Sequence, residues 1–178
     1  MNEKLIILVV LLVLPGIFYQ NNAAVVKLTN AVCESHNKSW VSIDLCRLKV
    51  VQRNKVALNI FITLLHPAND ISVKIQVVKK ANGYKPWLIN YTFDGCQFMR
   101  KVNHPLVGWA WKMIKDFSTI NHTCPYSGVN SLKDFWIGPE SFPHSIPTGD
   151  YGVLLTWIFD KKPQFLTNVY FSFTEDLL

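Results

Sequence analysis

Residues 82–96, NGYKPWLINYTFDGC, carry the signals that decide the fold. The stretch begins with Asn-Gly, two residues that tolerate the positive φ angles of a tight turn. The side chains that follow alternate between two faces of an extended chain. One face is apolar and consists of Trp87, Ile89, Tyr91 and Phe93. The other face consists of Leu88, Asn90, Thr92 and Asp94. We therefore predict a half-buried β-strand that follows a tight turn and ends near Cys96.

The same period of two recurs on both sides of this stretch. Residues 71–79 alternate with Ile71, Val73, Ile75 and Val77 on one face, and residues 151–159 and 165–173 alternate as strongly. Residues 56–65 form a nearly continuous apolar and β-branched run, and further strands are predicted at 25–32, 40–51 and 128–136. Seven or eight strands with frequent turns and one helix are typical of an antiparallel two-sheet β-sandwich.

After Cys96 the apolar spacing becomes that of a helix. Apolar residues recur at steps of three and four in the set Leu106, Trp109, Ala110, Met113, Ile114 and Phe117. Pro105 suits a first helical turn, and Asn103 is a candidate N-cap. We predict one amphipathic helix over residues 106–117, with Trp109 facing the core and Trp111 partly exposed. Three prolines in residues 138–149 predict a long loop.

The first residues have the pattern of a secretory signal peptide. Lys4 precedes an uncharged apolar run over residues 5–18, and Ala23 and Ala24 offer a cleavage point. An uncleaved membrane anchor is the alternative, but the run is shorter than the about 18–20 apolar residues that span a bilayer. We therefore predict a signal peptide at 1–23, a single domain at 24–178, and a secreted, extracellular protein without stable membrane insertion.

All four cysteines lie after this segment: Cys33, Cys46, Cys96 and Cys124. An even number of cysteines behind a signal peptide predicts two disulfides formed in an oxidising compartment. Two strands joined by a short turn would bring Cys33 near Cys46, whereas Cys96 and Cys124 bracket the helix. These two pairs are favoured, but the sequence leaves open the pairing of Cys33 with Cys96 or with Cys124.

Glycosylation motifs and charge agree with an extracellular protein. Three N-glycosylation sequons begin at Asn37, Asn90 and Asn121. The net charge of +6 is spread over short pairs such as Lys79-Lys80, and no run reaches five like charges. We do not expect a nucleic acid as a partner.

The sequence shows no pattern that is typical of an active site or a metal centre. Ser127-Gly128 lacks the context of an esterase nucleophile, and there is no H-E-x-x-H motif. The best set of metal ligands is Cys96, His104, His122 and Cys124, whose spacing matches no standard zinc site. In an oxidising compartment these thiols are expected to pair with each other. We expect no enzymatic activity, no cofactor and no metal.

Large aromatic side chains are abundant, with six Trp, six Tyr and eleven Phe. A core so rich in flat, bulky groups is expected to pack imperfectly and to leave an apolar cavity between the sheets, where small apolar ligands bind. Twelve side chains on the predicted inner faces are candidates for lining it: Phe61, Ile75, Trp87, Ile89, Tyr91, Phe93, Trp109, Met113, Phe117, Tyr151, Trp157 and Phe171.

Several motifs resemble, in order, those of a large insect family of secreted proteins of uncharacterised function. They are LCRLK at 45–49, NGYKPWL at 82–88, Asn90, DGCQF at 94–98, NHTCPY at 121–126 and PTGDY at 147–151. That family is similar to the ML lipid-recognition proteins, which include the ganglioside activator and the insect CheB chemosensory proteins. The resemblance implies an immunoglobulin-like β-sandwich of the ML type, which opens like a cup and holds a lipid between its sheets.

Two functions are consistent with these observations. The first is a secreted glycoprotein that binds or carries a small apolar ligand, such as a lipid, fatty acid or hydrocarbon, in chemosensation, with the predicted helix as a cap or gate. The alternative is a secreted interaction module or co-receptor that has a packed core without a ligand and binds an extracellular receptor. A secreted hydrolase is the third alternative and has no motif in its favour.

Overall fold

The structure, a computed structural model, describes residues 24–53, 55–142 and 146–175, so the predicted signal peptide at 1–23 lies outside the described residues. Two antiparallel sheets pack against each other, which confirms the predicted β-sandwich. The strands are β1 (Val25–Ser35), β2 (Val41–Gln52), β3 (Lys55–Ala68), β4 (Ile71–Ala81), β5 (Gly83–Asp94), β6 (Tyr126–Phe135), β7 (Gly149–Phe159) and β8 (Lys162–Thr174). The wide sheet has five strands in the order β1-β8-β7-β4-β5, and the narrow sheet has three in the order β2-β3-β6.

Alternate side chains of both sheets fill the core. Tyr151 and Phe159 of β7 and Phe171 and Phe173 of β8 are buried, and the four lie on the face that the sequence predicted to point inward. The narrow sheet contributes buried aliphatic side chains from alternate positions of β3: Leu58, Ile60, Ile62 and Leu64. Because side chains point alternately to opposite faces of a strand, the predicted alternation translates directly into this core.

Two disulfides join the edges of the wide sheet to the edges of the narrow sheet. Cys33 of β1 pairs with Cys46 of β2, with their Cα atoms 6.0 Å apart. Cys96, just beyond β5, pairs with Cys124, just before β6, at a Cα distance of 5.4 Å. These are the two pairs that the sequence favoured. On the chain-entropy model, disulfides that close loops of these lengths stabilise the fold by about 3 and about 3.5 kcal/mol, respectively.

Two helices follow β5, where the sequence predicted one. The additional helix, α1 (Gly95–Arg100), starts at Asp94, whose carboxylate accepts a hydrogen bond from the Gln97 N–H at 2.8 Å. The predicted helix, α2 (Pro105–Ile114), continues as a 3₁₀ turn, Lys115–Phe117. Its N-cap is His104, whose ring nitrogen faces the Val107 N–H at 3.5 Å, so the prediction of Asn103 as the cap was wrong.

The buried face of α2 differs from the predicted one in the first turn. Val107 and Gly108 are buried, whereas Leu106, which was expected to face inward, is 50% exposed. Further along, Met113 and Ile114 pack against the core as predicted. Val102 of the preceding loop lies beside Gly108, with a side-chain carbon only 2.9 Å from where a Gly108 Cβ would stand.

Helix α2 closes the side of the sandwich between the two edge strands β5 and β6. At its start, His104 stacks on Tyr91 of β5 with the ring centroids 4.4 Å apart. Beyond its end, Phe117 packs edge-on against Phe135 of β6 at 5.6 Å, and Ser118 forms a β-bridge with Leu132. The wide sheet has two more strands than the narrow sheet, and α2 covers part of the excess.

A bulge interrupts β5 within the stretch that decides the fold. Gln76 pairs with Asn90, but the next pair is Val78 with Pro86, so residues 87–89 lie opposite a single residue of β4. Leu88, at the centre of the bulge, has a φ of 54° and is 80% exposed. The bulge bends the strand locally. It leaves the Leu88 side chain pointing to solvent, on the face that the alternation predicted.

Candidate ligand site beneath helix α2

Five aromatic rings form a continuous row between the wide sheet and α2. Trp87 contacts Tyr151 with ring centroids 5.0 Å apart, and Tyr151 stacks on Phe171 at 5.4 Å. Phe171 meets Phe142 at 5.8 Å, and Phe142 meets Trp109 of α2 at 6.0 Å. We call these five residues the aromatic row. It runs from the edge strand β5 across β7 and β8 and back to the helix.

The centre of the aromatic row is buried, whereas its ends are half-buried. Tyr151 is 0% exposed and Phe171 is 6% exposed, while Trp87, Phe142 and Trp109 keep part of their surface in contact with solvent. Apolar surface that remains accessible beside a buried aromatic wall is typical of small-molecule sites. The row therefore extends from the surface into the core.

The polar atoms of the aromatic row are already hydrogen-bonded. The Trp109 indole Nε1 donates to the Ser141 carbonyl at 3.0 Å, and the Tyr151 hydroxyl donates to the Pro147 carbonyl. Both acceptors belong to the segment between β6 and β7, which contains the 3₁₀ turn Pro139–Ser141. What the row presents to a neighbouring molecule is therefore ring carbon.

The helix that covers the aromatic row contacts the sandwich mainly through side chains. Met113 and Phe117 pack against the core, but few residues of α2 approach the backbone of a strand closely. The paired strands of the two sheets are held much more closely, because backbone hydrogen bonds join them. Helix α2 is thus the more loosely attached wall of the site.

The structure brings four of the twelve predicted pocket residues into the aromatic row and two more to the helix side. Trp87, Trp109, Tyr151 and Phe171 belong to the row, and Met113 and Phe117 lie on the helix side. Phe93 packs against the core away from the row, because it pairs with Val73, whose partner on the other side is Trp157, and it meets Phe98 of α1 edge-on at 5.8 Å.

Three candidates lie on β4 and β5 at the margin of the site. Tyr91 is 42% exposed and contacts His104 rather than the row. Ile75, its partner on β4, is half-buried, and Ile89 is half-buried within the bulge.

Two further candidates lie away from the site. Trp157 is six positions from Tyr151 on β7, about 20 Å along the strand, where it stacks on Phe165 at 5.3 Å. Phe61 lies between the core residues Ile60 and Ile62 on β3, so alternation places it on the outer face of the narrow sheet. The signal that could have shown this is the position of Asn59 and Thr63, the two polar residues of the run, which alternate in step with Phe61.

Phe142 and Phe98 were not among the predicted pocket residues. Phe142 lies in the proline-rich segment that the sequence predicted as a loop, and Phe98 lies in α1, which the sequence did not predict. Both positions follow from tertiary packing. The one local signal was Asp94, a helix-capping residue type three positions before Gln97.

The described residues do not assemble a metal site. No group of three or more His, Cys, Asp or Glu side chains in the described part of the chain is close enough to hold an ion. Of the four candidate ligands, Cys96 and Cys124 are joined in a disulfide, and the His104 ring stacks on Tyr91.

Two residues after Cys124, at the start of β6, burial raises the pKa of the Tyr126 hydroxyl, which donates a hydrogen bond to the His122 carbonyl.

Two open grooves mark the surface of the described chain. One of about 530 Å³ lies between β1 and β2 beside Cys33 and Val41. The other, of about 440 Å³, lies at the β2–β3 hairpin beside Val50 and Trp136. None of the twelve predicted pocket residues lines either groove. In this conformation the side chains of the aromatic row pack against each other and against α2.

No helix within residues 24–53, 55–142 or 146–175 has the length and apolarity needed to cross a membrane. No curated protein matches the chain. Residues 73–153, which run from β4 into β7, match the model of a family described as "Protein of unknown function (DUF1091)".

Proposed function

We propose that this protein is a secreted glycoprotein that binds a small apolar molecule, such as a lipid, fatty acid or hydrocarbon, beneath α2, and carries or presents it in chemosensation. The observation that carries the proposal is the aromatic row, whose buried centre and half-buried ends offer ring surface to an apolar ligand. On this proposal the protein is a binding protein rather than an enzyme.

The ligand enters when α2 moves away from the sheets. Helix α2 is attached through apolar side chains such as Met113 and Phe117, and a ligand that takes their place restores the apolar contacts that opening removes. The disulfide Cys96–Cys124 keeps the chain before and after the helix attached during this movement. The β1–β2 side stays closed by Cys33–Cys46.

Secretion is supported by the two disulfides together with the apolar leader at 1–23 and the three sequons. Asn90 and Asn121 are exposed, and Asn37 lies in the turn between β1 and β2. A glycan at any of these positions would project from the sandwich without covering the aromatic row.

Native mass spectrometry tests the binding directly. The protein is made in a secretory host, extracted with organic solvent and offered a mixture of fatty acids and hydrocarbons. We expect bound mass in the protein as purified and renewed uptake after extraction. A folded protein that carries no ligand and takes none up would contradict the proposal.

A matched pair of tryptophan variants locates the site. Trp109→Ala removes the helix-side end of the aromatic row, and we expect about tenfold weaker binding, because roughly 1.4 kcal/mol of apolar contact is lost. Trp136→Ala is the control, since Trp136 is also half-buried but lies at the hairpin groove, under the Lys55 ammonium at 3.8 Å. An equal loss of affinity in both variants would mean that the ligand does not bind at the aromatic row.

The second candidate function, an interaction module with a packed core, is favoured by the exposure of Leu88. A leucine that is 80% exposed in a left-handed conformation on an edge strand is unusual for a side chain with no contact to make. This candidate predicts that ligand uptake is absent and that Leu88→Ser abolishes binding of labelled protein to receptor-bearing cells. Retained cell binding in that variant would count against it.

A further inference from the structure

Two lysines face each other on the inner side of the wide sheet, next to the aromatic row. Lys79 of β4 pairs directly with Lys85 of β5 on one side and with Tyr151 of β7 on the other. Residues directly opposite each other in antiparallel strands point to the same face. Since Tyr151 is a core residue, all three side chains emerge on the inner face of the sheet.

Like charges directly opposite each other on a sheet destabilise it unless an anion lies between them. Within the described residues the one ion pair joins Lys80 to Asp150 at 3.4 Å, on the outer face, so neither Lys79 nor Lys85 has a carboxylate partner there. Lys79 is half-buried, and Lys85 is exposed at the sheet edge. The pair is thus available to an anion at the margin of the core.

The Lys79 ammonium is directed over the aromatic row. Its Nζ lies 5.4 Å from the centre of the Tyr151 ring. Gly149 leaves the space for this path, because a Cβ at that position would stand 3.1 Å from the Lys79 Cε and 3.8 Å from its Nζ. The charge is therefore held above the same ring on which an apolar ligand would lie.

The paired residues across the wide sheet change from charged to apolar in one line. From the β5 edge inward, successive partners are Lys85, Lys79, Tyr151, Phe171 and Leu28. Four steps between strands of about 4.8 Å give a line of about 19 Å, which suits an extended acyl chain. The line offers cations at the entrance and ring and aliphatic carbon further in.

We propose that the ligand is an amphipath with an anionic head group, namely a long-chain carboxylate, whose head is bound by Lys79 and Lys85 and whose tail lies along Tyr151 and Phe171. This inference rests on the proposed function and names the ligand class. A neutral ligand in the same position would remove water from the Lys79 ammonium and leave it without an anion, which is unfavourable. A carboxylate offsets that loss with charge-assisted hydrogen bonds.

The experiment compares palmitate with methyl palmitate, which has the same tail without the charge. Binding to the delipidated, full-length secreted protein is measured by native mass spectrometry and by competition with a fluorescent fatty acid. We expect palmitate to bind about tenfold more tightly than the ester, and Lys79→Met to remove this preference. Lys80→Met is the matched control, because Lys80 is the neighbouring lysine but points to the outer face beside Asp150.

Each outcome separates the ligand class from the proposed function. If palmitate and its methyl ester bind equally well, the carboxylate inference is wrong and the apolar site remains. If neither binds, both fail. Lys85→Met provides a second variant at an exposed edge position that should fold normally, and thermal unfolding checks every variant. Retention of the full palmitate preference in the double variant Lys79→Met/Lys85→Met would overturn the assignment of the head-group site.

Discussion

At the scale of single residues, Thr167 holds a polar contact within the apolar core. Its side chain is 4% exposed, and its hydroxyl accepts a hydrogen bond from the Trp157 indole Nε1 at 3.0 Å. We expect Thr167→Val to lower the free energy of unfolding by about 1 kcal/mol, because the half-buried Trp157 indole N–H loses its hydrogen-bond partner. Urea unfolding measures the change. Thr167→Ser keeps the hydroxyl and should lose less; an equal loss would assign the effect to packing alone.

Tyr126 provides a pH-dependent contribution to stability. Burial raises the pKa of its hydroxyl above the ordinary value of 10.0, so the folded protein holds this proton more tightly than the unfolded chain does. The contribution is fully present below pH 10.0 and is lost as the pH rises beyond it. Tyr126→Phe should therefore flatten the decline of the urea midpoint at alkaline pH. An unchanged slope would show that other groups control the alkaline limit.

Some residues show why sequence patterns reach the core more easily than the site. The inward positions of β7 and β8, such as Tyr151 and Phe171, follow from strict alternation, which the pleat of a strand translates directly into burial. Phe142 joins the same aromatic row from an irregular segment, where no period connects position with direction. Phe61 is apolar but lies on the outer face, and in a run this apolar only Asn59 and Thr63 indicate which face points outward.

At the scale of elements, the two disulfides close opposite sides of the sandwich and should have different effects on α2. Replacing Cys96 and Cys124 by Ala removes the link that lies on the helix side, at a cost of about 3.5 kcal/mol. Replacing Cys33 and Cys46 removes the link on the far side and costs about 3 kcal/mol. Hydrogen exchange of the α2 amides should accelerate more in the first variant, relative to global stability. Equal acceleration would mean that the helix opens only with the whole fold.

The short helix α1 depends on its cap. Six residues are too few for a helix to be stable alone, and Asp94 satisfies the Gln97 N–H at its start. Asp94→Ala should cost about 1 kcal/mol, whereas Asp94→Asn should cost less, because the amide oxygen still accepts the bond. Thermal unfolding compares the two variants. Asp94 is also the last residue of β5. Because a glycine, a poor helix former, follows it, the sequence offers little reason to predict a helix there.

At the scale of the whole molecule, the position of the three sequons yields a test of secretion. A chain expressed in a secretory host should begin near Ala24 and lose sugar mass on enzymatic deglycosylation. Asn37→Gln, Asn90→Gln and Asn121→Gln should each remove one step of that mass. Intact mass spectrometry gives both results. A chain that retains residues 1–23 and carries no sugar would contradict the extracellular assignment.

The architecture was predictable from the sequence to the level of two sheets, one amphipathic helix and two favoured cysteine pairs. Alternation and turn residues determine those features locally, so the features can be predicted without knowing which strands pair. The strand order β1-β8-β7-β4-β5 and the bulge at Leu88 depend on contacts between distant segments. The candidate site lies where such segments meet, which is why only part of the predicted pocket set is found together.

The covering of the wide sheet by α2 has a consequence for how easily the molecule can open. A strand that leaves a sheet exposes a row of unpaired N–H and C=O groups, each of which is costly away from water. A helix satisfies those groups within itself and can lift as a unit. A tertiary backbone link of this region, in the part of the chain that the structure describes, is the bridge between Ser118 and Leu132, beyond the end of α2. We therefore expect that α2 can be raised from the wide sheet without breaking the strand pairing of either sheet.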